Sequence, residues 1–185
     1  MTLTACTVSG VPSTQTAYTL DPVGNWPKKI TNTVTETRTH NAVNEIMTIN
    51  GAPLSYDKNG NFTKDTLYTY AYDEENRLTS VTRNSESRVV GQYHYDAFSR
   101  RVQRTANPAT PPTPTTTRYF YDDARIIEEQ NRAGVTQATN VYGNYVDELL
   151  TMDRGGQTCY YHPNALWSVE TVTDRTATPI ERYSY

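Results

Sequence analysis

Leu67-Tyr68-Thr69-Tyr70-Ala71-Tyr72-Asp73-Glu74-Glu75-Asn76-Arg77-Leu78-Thr79-Ser80-Val81-Thr82 decides the fold, because its pattern recurs from Tyr18 to the last residue. Tyr68, Tyr70 and Tyr72 alternate with Thr69 and Ala71, the period-two spacing of a strand with one aromatic face. Asp73 can hydrogen-bond the backbone of the segment it opens, and Asn76 tolerates the left-handed conformation that a short hairpin turn needs near its end. Leu78 to Thr82 is the returning strand. The unit is therefore a β-hairpin.

Working outward, the first copy is Tyr18 to Trp26, with Asp21 opening the turn, Pro22 presetting its second position and Gly24 free to adopt positive φ. A second copy, His40 to Ile46, has Asn41 in place of Asp and Asn44 in the glycine position, between strands over Thr31 to Thr39 and Glu45 to Ile49. Asp57 with Gly60, Asp73 with Asn76, and Asp96 open the next turns, so the position falls at 21, 41, 57, 73 and 96, at spacings of 20, 16, 16 and 23. The spacings vary because intervening loops differ in length, which surface loops tolerate. Asp122 opens a further copy in which Arg125 fits the glycine position poorly. Asn131 to Gly134, Asp153 to Gly156 and Asp174 to Thr176 read as turns. Residues 106–117, rich in Pro and Thr, cannot pair throughout in a ladder and form an exposed, semi-extended loop rather than a partner-binding proline motif. Residues 1–17 are polar and aperiodic, an irregular N-terminal edge.

Composition agrees with a sheet wetted on at least one side. There are 15 Tyr against 3 Phe and 2 Trp, hydrophobic residues make up 36%, and mean hydropathy is -0.73. The length of 185 residues is that of one domain with a core of its own. A net charge of -3 without a Lys/Arg cluster leaves no footprint for nucleic acid or an anionic membrane. No window approaches the roughly 18 apolar residues of a membrane span, and the first residues lack the pattern of a secretion signal. Cys6 and Cys159 have no partner spacing and read as free thiols.

No constellation points to catalysis, a cofactor or a metal. The acidic residues occur once per hairpin, as turn chemistry requires, rather than paired as acid-base chemistry requires. His40, His94 and His162 lie in separate copies without ligand spacing. Ser168 and Ser184 lack a nucleophile elbow, and no glycine-rich phosphate loop exists. The structural turn residues are thus Asp21, Gly24, Asn41, Asn44, Asp57, Gly60, Asp73, Asn76, Asp96 and Asp122. The rival to a purely structural role is carbohydrate binding, with Trp26 and Trp167 as the rings to stack on sugars. Against it, aromatic pairing across strands explains every copy, each pair contributing roughly 0.2 to 1 kcal/mol.

From Tyr18 to Tyr185 the chain resembles the YD-repeat or RHS-repeat family, whose unit is a Tyr-rich strand, an Asp-x-x-Gly/Asn-Arg turn and a Leu-bearing return strand. Residues 18–150 resemble the repeats. Residues 151–185, together with Tyr142 to Leu150, resemble a truncated start of the RHS-associated core, with Trp167 where that family usually has Gly. The resemblance implies an all-β fold of consecutive antiparallel hairpins forming a twisted, curved sheet, a segment of a spiral shell. It also implies a non-enzymatic role, enclosing or presenting a C-terminal toxin or other polypeptide in a secreted or cell-surface bacterial protein, with teneurin shells as more distant counterparts. The partners implied are the remainder of the same polypeptide and its enclosed toxin. Asp21-Pro22-Val23-Gly24 matches half of the self-cleavage motif of such proteins but sits in an ordinary repeat turn. A piece of such a shell, ending at Tyr183-Ser184-Tyr185 in mid-strand, is expected to self-associate through its open edges.

Overall fold

The computed structural model describes residues 2–4, 15–108 and 113–184. Cys6 and the centre of the Pro/Thr loop lie outside them. Every regular element among the described residues is a strand; none is a helix. The chain divides into two compact units, residues 1–89 and 90–185, where length alone points to one domain.

The first unit begins with a six-stranded sheet of β1 (Thr2–Thr4), β2 (Thr16–Thr19), β3 (Lys28–Thr31), β4 (Val34–His40), β5 (Ile46–Ile49) and β6 (Ala52–Pro53), in chain order. A second run follows, β7 (Ser55–Tyr56), β8 (Phe62–Lys64), β9 (Tyr68–Tyr72) and β10 (Leu78–Arg83), again in order. The second unit begins inside β11 (Arg88–Tyr95). It continues through β12 (Arg101–Ala106), β13 (Thr115–Asp122), β14 (Arg125–Asn131), β15 (Thr136–Tyr142), β16 (Leu149–Arg154), β17 (Gln157–Pro163), β18 (Val169–Thr173) and β19 (Pro179–Arg182), each hydrogen-bonded to its chain neighbours. All of these pairings are antiparallel. This is a run of hairpins, as short turns between alternating strands dictate.

Several sequence expectations shift. The start of the expected irregular edge pairs as β1, with Thr2 opposite Thr19. The strand expected over Thr31 to Thr39 is broken by a two-residue turn, because Asn32 adopts φ 54° and places Thr31 opposite Val34. Thr115 to Thr117, expected in the Pro/Thr loop, pair with Ala106 to Arg104, so Ala106 and Thr115 to Thr117 belong to strands.

The core is thinner than length predicts. Among the described residues the buried hydrophobics are Ala138, at 1% exposure, and Val172, at 4%, and no large side chain is fully buried. The physical reason lies in the composition. Tyrosine rings carry a hydroxyl that needs a polar partner, so most tyrosines are half-buried rather than enclosed.

Candidate functional site

The feature repeated most faithfully is the hairpin tip. Eight five-residue loops begin with an Asp or Asn whose Oδ1 accepts from the backbone N–H groups two and four residues on, at 2.8 to 3.1 Å. The opening residues are Asp21, Asn41, Asp57, Asp73, Asp96, Asn131, Asn164 and Asp174. The amide of the fourth loop residue donates to the carbonyl of the first, and the amide of the first to the carbonyl of the fifth. Tip backbone groups that would otherwise be orphaned are satisfied by one short side chain. Asn131, Asn164 and Asp174 belong to this set although the Tyr-Asp consensus did not mark them. The spacing of their oxygen to the amides two and four residues ahead is the signal that finds them.

The fourth loop residue has positive φ each time: Gly24, Asn44, Gly60, Asn76, Ser99, Gly134, Trp167 and Ala177. Gly and Asn are the residues that accept this region readily. Trp167, at φ 63°, does not, and it sits in the position where glycine was expected. The fifth residue closes the tip from the side chain. Asn25, Asn61, Arg77 and Arg100 donate to the second carboxylate oxygen of Asp21, Asp57, Asp73 and Asp96. At Asp57 the Asn61 amide is the leading influence and holds the carboxyl below the usual range against partial burial. At Asp73 and Asp96 burial pushes upward most strongly, but the backbone amides and the Arg77 and Arg100 guanidinium groups together outweigh it.

Asp122 is the exception among the expected turn residues. It ends β13 opposite Arg125, and the turn is only Asp123 and Ala124, with φ 52° at Asp123. Arg125 is ill suited to positive φ, so the chain turns two residues earlier in the loop and frees the guanidinium for other work.

Two further sets of contacts join neighbouring hairpins within each unit. At the tips, Asn25 donates to Asn44 at 2.9 Å, Asn61 to Asn76 at 2.8 Å, Arg100 to the carbonyl of Asp123, and Arg125 to the carbonyls of Gly143 and Tyr145 at 3.1 and 2.7 Å. One turn back along the strands, tyrosine hydroxyls cross to the neighbouring hairpin's backbone. Tyr56 donates to the Ile46 carbonyl, Tyr72 to Phe62, Tyr121 to Arg101 and Tyr142 to Ile126, at 2.9 to 3.1 Å. In the first three, the tyrosine precedes the loop and the acceptor is the residue that follows the preceding loop. This is why the chain uses Tyr where Phe would serve for packing alone. Burial raises all four of these hydroxyl pKa values, so they stay protonated as donors. Burial and then the hydrogen bond to Asp65 push Tyr70 further, to about 12.

The two tryptophans are engaged within their own units. The Arg38 guanidinium lies 3.3 Å from the Trp26 ring centroid, Tyr18 meets that ring edge-on at 5.2 Å, and Glu36 holds Arg38 at 2.7 Å. Trp167 stacks on Tyr145 with centroids 4.2 Å apart and planes 15° from parallel. No group of three or more His, Cys, Asp or Glu side chains able to hold a metal ion occurs among the described residues.

A family model of the teneurin YD-shell matches residues 3–185. The chain belongs to this YD-shell family. Among curated relatives it is 32% identical over 176 residues to the tRNA3(Ser)-specific nuclease WapA of Bacillus spizizenii, and 31% identical over 176 residues to the tRNA nuclease WapA of Bacillus subtilis. Each alignment covers 91% of this chain but 7% of the relative, so the chain spans a small part of the proteins it matches. Solved structures of TcdB2-TccC3 assemblies align over 93% of the chain and 13% of theirs, at 13 to 14% identity and TM-scores of 0.46 to 0.47. The repeating tip and the tyrosine rung are thus the local chemistry of a YD-shell chain, written here in this chain's own residues.

Proposed function

We propose that this chain is a non-enzymatic segment of a YD-repeat shell, one that encloses or presents a C-terminal toxin or other polypeptide of an exported bacterial protein. The observation that carries the reading is the linkage between successive hairpins. Within each unit, tip contacts and tyrosine rungs fasten neighbouring hairpins to one another, so stability comes from neighbours and not from a filled interior. A wall built this way leaves sheet surface free to face another chain. The nuclease activity in the relatives' names is that of whole proteins, of which this chain matches 7%. The sugar-binding alternative has less support, because Trp26 is covered by Arg38 and Tyr18, and Trp167 is stacked on Tyr145.

Limited proteolysis of the full-length protein tests this. The C-terminal polypeptide is expected to survive as a protected fragment, and to become protease-sensitive when Tyr72 and Tyr142 are both replaced by Ala. A C-terminal polypeptide equally sensitive in both proteins would overturn the reading.

A further inference from the structure

One end of the second unit presents apolar side chains that the fold does not use. The tips joining β11 to β12, β13 to β14, β15 to β16 and β17 to β18 all lie at the same end, because the intervening strands are paired in strict order. Three of them expose a large apolar residue: Phe98 at 79%, Val146 at 74% and Leu166 at 84%. Contacts fix the row: Arg100 to Asp123, Arg125 to Gly143 and Tyr145, and Tyr145 on Trp167.

Between the second and third tips is a hollow of about 280 Å³, lined by Asp122, Asp123, Ala124, Arg125, Val146 and Asp147. Arg125 directs its donors to backbone carbonyls, and among the described residues no hydrogen bond or ion pair reaches the three Asp carboxylates. Nor do they converge as metal ligands would. Spread carboxylates suit an elongated cation better than a compact ion. On the far side of Val146 stand Tyr145 and Trp167, each about half exposed. Aromatic rings attract ammonium and guanidinium groups, carboxylates neutralise them, and exposed aliphatic side chains cover the methylene stems.

We propose that this row of tips is a docking surface for a basic segment of a separate polypeptide, with Lys or Arg alternating with aliphatic residues. Charge complementarity at the hollow selects the basic partner, and the apolar tips on both sides of it select a polypeptide over a small polyamine. Successive tips are two strands apart, about 10 Å, so the four tips span about 30 Å, the reach of roughly nine residues of extended chain.

The test is fluorescence anisotropy of the complete chain with a labelled nine-residue peptide of alternating Lys and Val, against the same peptide with Glu for Lys. Saturable binding of the Lys peptide is expected, weakening at least tenfold between 50 and 500 mM salt, on the order that surface charge pairing gives. The pair Asp123→Asn with Asp147→Asn should weaken it at least tenfold, as should Val146→Ser with Leu166→Ser. Asp123 and Asp147 have φ of 52° and 54°, which Asn tolerates, so the first pair keeps its loops. Absence of saturable binding, affinity of the Asn pair within twofold of the parent, equal binding of the Glu peptide, or Trp167-dependent binding of a neutral oligosaccharide instead would each overturn the proposal.

Discussion

Replacing Tyr72 with Phe removes one oxygen atom and tests whether the tyrosine rung holds neighbouring hairpins in register. The hydroxyl donates to the Phe62 carbonyl at 2.9 Å, between strands of different hairpins. A half-buried hydrogen bond of this kind contributes about 1 kcal/mol net. For a unit of 89 residues that corresponds to a fall in Tm of roughly 4 to 8 °C. Tyr142→Phe makes the informative comparison. Its acceptor, the Ile126 carbonyl, also receives the Asn140 side-chain amide at 2.8 Å, so the acceptor keeps a partner when the hydroxyl is lost. The cost there should be about 0.5 kcal/mol, because no group is left wholly unsatisfied.

Each unit carries one tryptophan, Trp26 in the first and Trp167 in the second, so thermal melts followed by fluorescence in single-tryptophan backgrounds report the units separately. Tyr160→Phe serves as control, since this ring is exposed and no hydroxyl partner is present among the described residues. The reasoning fails if Tyr72→Phe melts like the control's parent, or if Tyr142→Phe costs more than Tyr72→Phe.

The remaining predictions concern the tips. Carboxyls lowered in the folded state, as at Asp57 and Asp174, contribute stability fully present above the ordinary value of 3.8 and lost as pH falls through the lower folded-state value; the Asn131 and Asn164 tips contain no carboxylate. Amide exchange followed between about pH 4 and 2 should therefore loosen Asp tips before Asn tips, and simultaneous loosening would refute the assignment. Gly143→Ala drives a methyl group into the Glu148 carboxylate, which must then release the Tyr145 amide; a loss of about 1 to 2 kcal/mol by melting is expected, and Glu148→Ala, which removes the same acceptor, should add little to it in the double variant. Trp167→Gly removes about 1 to 2 kcal/mol of left-handed strain and forfeits a stack worth about 0.5 to 1.5 kcal/mol. Its melt by circular dichroism should match or slightly exceed the parent, while Tyr145→Ala, costly in the parent, should become nearly neutral beside it.

The tips were legible in the sequence because they are local. An Asp or Asn followed three residues later by Gly or Asn states both the acceptor and the left-handed position, which is why Asp21 with Gly24 and Asp73 with Asn76 could be read directly. Asp122 misled because the next residues, Asp123 and Ala124, close a two-residue turn instead, and the choice depends on how β13 and β14 register. Ser99, Ala177 and Trp167 at positive φ show tertiary context overriding residue preference. The Asn50-Gly51 turn, with φ of 50° and 80°, carried a two-residue hairpin signal that the repeat pattern overshadowed. The tyrosine rungs were not legible at all. Their partners stand 10 to 20 residues away in sequence, at a distance fixed only once hairpins are aligned.

That last point explains how a chain with so little enclosed surface holds one structure. A sheet of hairpins has an inherent ambiguity, since a one-residue slip would exchange the two faces of a strand. A buried core normally forbids the slip, but here burial is spread thinly over half-covered rings. Hydroxyl rungs and tip bonds supply the missing discrimination, because each is satisfied in only one register and a slip leaves its donor and acceptor without partners. They do so between neighbours only, so the discrimination does not depend on what lies against either face. A sheet specified in this way can face solvent, cargo or partner without repacking, which is the property that a shell wall requires and that a core-packed sandwich lacks.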